Sequence, residues 1–438
     1  MTANQSVGDD LLWGHPKGLY ILFFTEMWER FSYYGMRALL IYYMTKHLLF
    51  TQEMSSQIYG LYTGLVYFTP LFGGLIADRY LGQRKTVILG GILMAVGHFL
   101  MAFEAMFFPA LIFLICGNGA FKPNISTQVG YLYAPGDSRR DRAFSIFYVG
   151  INLGAFLSPL VCGTLGELYG WHYGFSLAGV GMVVGLVIYL TGQRYLASDY
   201  LMLKRAMPEK ENLPLTRDER SRIWALVVLC LFNIIFWSAY EQQGNTLALW
   251  ADEDTDRHFL GWEIPASWFQ SLNPMLIIIL TPLVTTFWSW QAKRNREPSS
   301  AAKMGFGCIF LCISYLIMVL PAKDYAVDGT PVSMWWLVAN SLFLTVGELY
   351  LSPVGLSLVT KLAPGQMVSM IMGIWFLSSF FGNYLAGFLG TFWEKMSRDS
   401  FFIMLAMIAL IAGLGIFTVL RPLKQALSYD RERPDPQA

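Results

Sequence analysis

Apolar stretches of about twenty residues recur along the chain from Leu19 to Leu420, separated by clusters of glycine, proline and charge. That length matches the ~30 Å hydrocarbon core of a bilayer, so the pattern predicts helical spans. Twelve can be placed, at 18–46, 54–77, 85–103, 106–132, 142–166, 171–195, 222–249, 267–290, 304–321, 333–360, 367–391 and 399–420. A longer polar stretch at 198–220 separates the sixth from the seventh. The expected fold is an all-α polytopic membrane protein of two six-helix bundles. The first bundle occupies 1–195, a cytoplasmic linker 196–221, and the second bundle with a short cytoplasmic tail 222–438.

The first span departs from the apolar rule. Glu26, Glu29, Arg30 and Arg37 lie inside it, and with Tyr33 they fall on about a third of the helix circumference, with Tyr34 at the edge. Each charge costs about 2.5–3.5 kcal/mol at mid-bilayer on insertion scales, so the stripe must face protein or a water-filled cavity. It reads as a pathway for a solute and a proton.

Composition agrees with this class. Of the 438 residues, 55% are hydrophobic and 14% charged, against about 25% charged in soluble domains. The net charge of +1 gives no footing for nucleic acid. With both termini cytoplasmic, inside segments hold 23 of the 31 lysines and arginines, outside segments five, and three (Arg30, Arg37, Lys122) are intramembrane. This asymmetry follows the positive-inside rule. Cys116, Cys162, Cys230, Cys308 and Cys312 sit in apolar stretches without CxxC spacing and read as buried structural thiols, not disulfides or metal ligands. No signal-peptide cleavage pattern precedes the first span. No HExxH, GxSxG or paired intramembrane aspartate suggests an enzyme.

Further polar groups interrupt later spans: Asn118 and Lys122-Pro123-Asn124 in the fourth, Asn152 in the fifth, Glu241-Gln242-Gln243 in the seventh, Asn273 in the eighth, Glu348 in the tenth, and Trp375 with Ser378-Ser379 in the eleventh. Three intramembrane cations thus meet four carboxylates, Glu26, Glu29, Glu241 and Glu348. At least one acid lacks a full partner and is a natural seat for a proton. Static pairing explains such a set poorly, because desolvation offsets the attraction of a buried pair. His98, the one histidine well within a span, reads as a satisfied packing residue.

Two sequence patterns bear on ancestry. Gly117-x5-Pro123 followed by Ala134-Pro135-Gly136 is echoed by Gly347-x5-Pro353 followed by Ala363-Pro364-Gly365, as parallel repeats would give. Gly73-Gly74-Leu75-Ile76-Ala77-Asp78-Arg79, continuing to Gly82-Gln83-Arg84-Lys85, resembles the loop between helices two and three of the major facilitator superfamily, in which Asp78 and Arg79 would form a cytoplasmic latch. Glu26-x-x-Glu29-Arg30-Phe31-x-Tyr33-Tyr34-Gly35, Phe121-Lys122-Pro123-Asn124 and Phe236-Trp237 followed by Glu241-Gln242 resemble, in order and spacing, the proton-dependent oligopeptide transporter family. The resemblance runs over essentially the whole chain.

It implies proton-driven import of di- and tripeptides, with no cofactor beyond the coupling proton. Glu26, Glu29, Arg30, Lys122 and Glu241 would take part in proton coupling. Arg30 and Lys122 would lie near the peptide carboxylate, and Tyr33, Tyr34 and Tyr67 would line the pocket. Asn152 and Asn273 would bond the peptide ends or backbone, Glu348 would receive the amino terminus, and Trp375 and Ser379 would complete the site. Arg37 with Glu241, and Lys122 with Glu348, would be gating salt bridges. A zwitterionic peptide needs a cation at one end and an anion at the other, between apolar and aromatic walls. The same fold could carry nitrate or a peptide-like drug, although a simple anion needs no carboxylate opposite the cation. The stretch 198–220 is too short and polar for the two extra helices of many bacterial members, and 321–331 is too short for the extracellular domain of animal members. A bacterial inner membrane location is expected.

Overall fold

The computed structural model describes residues 11–134, 137–197, 216–362 and 368–428. Most of the expected linker, Pro135-Gly136 and Ala363-Pro364-Gly365 lie outside the described residues. Each predicted span contains a long helix: α1 (Lys17–Tyr42), α2 (Gln52–Leu81), α3 (Gln83–Leu100), α4 (Glu104–Tyr131), α5 (Arg139–Tyr169), α6 (Trp171–Tyr195), α7 (Arg220–Glu253), α8 (Ala266–Lys293), α9 (Ser300–Val327), α10 (Trp335–Val359), α11 (Ile371–Gly390) and α12 (Arg398–Leu420). Ten of these are long and apolar enough to cross a membrane. The other two are α1, with four charges between Glu26 and Arg37, and α3, whose 18 residues begin Gln83-Arg84-Lys85 and include His98.

Several spans are not uniform helices, for local reasons. Pro70 interrupts α2 after Thr69, and α5 opens into a wide turn at Pro159–Gly163, because proline has no N–H to donate. α7 tightens into a 3₁₀ turn at Glu241–Gly244 before resuming at Thr246. The turn therefore falls on the Glu241-Gln242 motif, which the apolar pattern places inside one continuous helix. Irregular backbone of this kind is tolerated at membrane depth where protein or a cavity surrounds it.

Contacts divide the described residues into two compact units. Unit 1 comprises 11–50, 65–134, 137–197 and 258–278; unit 2 comprises 51–64, 216–257, 279–362 and 368–428. In unit 1, α1 packs on α5 and α6 while α3 packs on α4 and α6. In unit 2, α9 packs on α10 and α12, and α7 on α11 and α12.

The internal repeat has a physical counterpart within each unit. A Cβ on Gly90 would lie 2.6 Å from the Gly117 carbonyl oxygen, so α3 and α4 cross backbone to backbone there. A Cβ on Gly347 would lie 2.8 Å from the Gly307 carbonyl oxygen, giving α9 and α10 the same kind of crossing. Pro123 and Pro353 lie inside α4 and α10 at the equivalent step.

Two segments group by contact with elements far away in the chain. Residues 51–64 belong with unit 2, where Gln52 donates to the Gly390 carbonyl at 2.9 Å and Ser56 to Asn245 Oδ1 at 2.8 Å. Residues 258–278 belong with unit 1. There Glu167 accepts from the backbone N–H groups of Ala266 and Ser267, both at 2.9 Å, and so caps the turn that opens α8. Trp268 donates to Thr164 at 2.8 Å and Ser271 to the Phe156 carbonyl at 2.8 Å beside it. Glu167→Ala leaves two helix-end donors without their acceptor and should cost about 1–2 kcal/mol. A lower thermal midpoint of the purified protein checks this; an unchanged midpoint would show that the cap carries no stability.

Candidate functional site

The charged stripe of α1 folds into a dense cluster in unit 1. Arg30 donates from Nε to Glu29 Oε2 and from Nη2 to Glu29 Oε1 at 2.7 Å, a bidentate fork between sequence neighbours. Its Nε also lies 3.2 Å from Glu26 Oε1, one helical turn earlier. From α4, Asn118 donates to Glu29 Oε1 at 3.2 Å. All three charged side chains are buried, between 0% and 3% exposed. Both oxygens of Glu29 therefore have donors, whereas Glu26 Oε2 is buried and makes no hydrogen bond among the described residues.

Two glycines on α5 let this cluster form. A Cβ on Gly154 would sit 2.2 Å from the Met27 carbonyl oxygen and 3.1 Å from Arg30 Cβ. A Cβ on Gly150, one turn away, would meet the Phe23 ring at 2.8 Å. The small residues flanking Asn152 thus seat α5 directly against the charged turn of α1.

Aromatic faces line the remaining cations. Arg30 lies over the Tyr33 ring at 5.3 Å and Arg37 over Tyr34 at 5.8 Å, and the two tyrosines meet edge to face at 5.1 Å. Lys122 stands 4.3 Å over Tyr67, joining α4 to the part of α2 in unit 1. Such pairs are worth roughly 0.5–2 kcal/mol, more when desolvated. Asn152 is buried and donates to the Tyr148 carbonyl of its own helix at 2.9 Å. Asn273, placed by sequence in the second half, belongs to unit 1 with the start of α8.

Unit 2 holds Glu241, Glu348, Trp375 and Ser379. Tyr240 donates to Glu348 Oε2 at 2.5 Å, joining α7 to α10. Glu241 is buried at the head of the 3₁₀ turn, which is held by Tyr315 donating to the Ala239 carbonyl and Gln242 to the Ala386 carbonyl, at 2.6 and 2.8 Å. Trp237 donates to Asn233, and Asn233 to Ser378, at 3.0 and 2.7 Å, a polar chain from α7 to α11. Trp375 packs its ring onto Gly355 of α10, where a Cβ would lie 2.5 Å from it. Of the residues expected to form gating pairs, Arg37 and Lys122 belong to unit 1 and Glu241 and Glu348 to unit 2.

Asp78 and Arg79 are exposed at the end of α2, and Arg84 at the start of α3 donates to the Leu196 carbonyl at 2.6 Å and the Ala197 carbonyl at 2.7 Å just past α6. Two expectations need amendment. His98 is packed but not satisfied, since neither ring nitrogen has a hydrogen-bond partner among the described residues. Four of the five cysteines are buried, but Cys116 is exposed on α4.

Sequence reasoning assigned no role to Asn118, Tyr240 or Asn233. Asn118 lies one turn before Lys122, and Tyr240 adjoins Glu241, so position along the helix was an available signal for both.

The sequence profile of the POT family matches residues 84–200 and 214–411. The chain is 36% identical to "Peptide transporter YePEPT" of Yersinia enterocolitica, over 89% of this chain and 90% of that protein. It is 33% identical to a di-/tripeptide transporter of Lactococcus lactis subsp. cremoris, over 96% of this chain and 98% of the relative. Its fold is similar to that of a peptide transporter POT crystallised with sulfate, with a TM-score of 0.87 and 34% identity over 95% and 96% of the two chains. A helical membrane fold, a charged first helix and matches along nearly the full length agree: the chain belongs to the POT family of transporters.

Proposed function

We propose that the protein is a proton-coupled symporter that imports di- and tripeptides by alternating access. The observation that carries the coupling is the contrast between its two first-helix carboxylates. Both oxygens of Glu29 are bonded by Arg30 and Asn118, while Glu26 keeps a buried oxygen without a donor among the described residues. A carboxylate in that position accepts a proton at less cost than one whose two oxygens are both bonded. Glu26 is therefore the proton's seat, with Glu29 and Arg30 as the frame that senses it.

Roles in peptide recognition follow from the charge of each side chain. Arg30 and Lys122, each beside a tyrosine face, take the carboxylate end. Glu348 takes the amino end, and Trp375 and Ser379 flank it. Names of the relatives support the substrate class: one is a peptide transporter, another a di-/tripeptide transporter. Peptide-like compounds belong in the same reading, because a variant of a similar transporter was crystallised with alafosfalin. Binding energy that differs between conformations drives the population shift that moves the solute. The protein resides in a bacterial inner membrane with both termini cytoplasmic.

Uptake of a labelled dipeptide into proteoliposomes under an imposed inward proton gradient tests this. Accumulation should exceed equilibrium, collapse with a protonophore and be competed by unlabelled di- and tripeptides. Indifference to the protonophore would remove the coupling, and competition by nitrate instead of peptides would change the cargo.

A further inference from the structure

Glu348 sits on a rigid backbone. The neighbouring Gly347 presses α10 against α9 at the Gly307 crossing, so the main chain has little freedom to adjust. Its side chain is only half-buried, and a glutamate has several rotatable bonds whose freedom is lost on binding.

Tyr240 restrains it. Its ring is stacked on Phe236, with centroids 5.6 Å apart and planes 20° apart, and meets Trp237 edge to face at 5.0 Å. Those partners lie four and three residues earlier on α7, the positions that share a helix face with Tyr240. Tyr240 is 4% exposed, and its buried hydroxyl donates to Glu348 Oε2 at 2.5 Å. Trp237 is in turn tied through Asn233 to Ser378 on α11.

We infer that Tyr240 is a positioning residue for recognition of the peptide's amino end, holding the Glu348 carboxylate in the orientation that receives the ammonium group. The inference rests on the reading of Glu348 as that group's partner. A phenol donating to one carboxylate oxygen restricts rotation about the last side-chain bonds and leaves the negative charge in place. Preorganisation of this kind lowers the ordering cost of binding. Sequence near the motif does not suggest it, because Tyr240 and Glu348 are 108 positions apart.

The test uses the full-length protein in proteoliposomes and two competing probes, dialanine and its N-acetylated form. Tyr240→Phe keeps the ring and its stacking and removes only the hydroxyl. The concentration of dialanine giving half-maximal inhibition of reporter uptake should rise about tenfold, as loss of a hydrogen bond to a charged group implies. N-acetyl-dialanine should be unaffected, and the maximal exchange rate should stay within about twofold of the parent. An equal loss for both probes would make Tyr240 a structural residue, and an unchanged ratio would overturn the proposal. Glu348→Gln, run in parallel, separates the two layers. If it leaves the free-amine preference intact, the reading of Glu348 fails; if it erases the preference while Tyr240→Phe does not, only the role of Tyr240 fails. Tyr240→Leu gives the same two-probe comparison should the phenylalanine protein be recovered poorly.

Discussion

Glu26→Gln should abolish gradient-driven accumulation of dipeptide while leaving counterflow exchange across the membrane within about threefold of the parent. Glutamine keeps a carbonyl oxygen where Glu26 Oε1 meets Arg30 Nε at 3.2 Å, and imitates the protonated acid at the oxygen that has no donor. The binding cycle can then run, but no proton is carried with it. One pH unit across the membrane is worth about 1.4 kcal/mol, or about tenfold in concentration at one proton per peptide. The substituted protein should therefore equilibrate to a ratio near one where the parent reaches about ten. Arg30→Ala is expected to be harsher. It removes the cation shared by the buried Glu26 and Glu29 carboxylates, a loss of about 3–5 kcal/mol where one partner of a buried pair is deleted. Accumulation ratio and thermal midpoint, measured on the same preparations, distinguish the two: Glu26→Gln loses the first alone, Arg30→Ala loses both. Parent-like accumulation by Glu26→Gln would take that carboxylate out of the coupling scheme.

A second large effect is expected from a residue with no polar chemistry. Gly154→Leu should reduce peptide uptake by more than about tenfold with every charged residue intact. The added Cβ alone would lie 2.2 Å from the Met27 carbonyl oxygen and 3.0 Å from the Phe31 nitrogen. Both are main-chain atoms, so no rotamer change relieves the contact and α1 must move away from α5. Displacing α1 carries Glu26 and Glu29 away from Asn118, which belongs to α4 and does not follow. Overpacking of this kind costs about 1–3 kcal/mol. Gly91→Ala is the control, because its nearest neighbours are the side-chain ends of Leu186 at 3.1 Å and Met182 at 3.4 Å, which can shift. Uptake by Gly154→Leu equal to that of Gly91→Ala would show that the α1–α5 spacing does not matter.

Much of the fold is legible because the bilayer simplifies the code. Apolar length alone places all twelve spans, including α1, whose charges break the rule, and α3, which begins with Gln83-Arg84-Lys85. The glycine and proline steps at Gly117 and Gly347 also carry real information, since each marks a backbone crossing repeated in the two units. The internal breaks are less legible. A proline such as Pro159 announces a disturbance, but the 3₁₀ turn at Glu241–Gly244 depends on the bonds that Gln242 and Tyr315 make to distant helices.

At the site, one-dimensional spacing shows that Glu26, Glu29 and Arg30 share a face, and a charge count shows that carboxylates outnumber cations. Neither identifies which acid is left unsatisfied. That depends on Asn118, 89 positions from Glu29, arriving on α4 with a donor for Glu29 and none for Glu26 Oε2. Pairing of Tyr240 with Glu348, capping of α8 by Glu167 and the hold of Arg84 on the end of α6 have the same origin. By itself, then, the sequence determined the membrane class, the helical repeat and a set of candidate residues for a proton and a zwitterion, because periodicity and transfer energy act locally along the chain. Tertiary structure alone decided which of those residues are satisfied and which are left poised, because hydrogen bonding of a buried group depends on the helices packed against it.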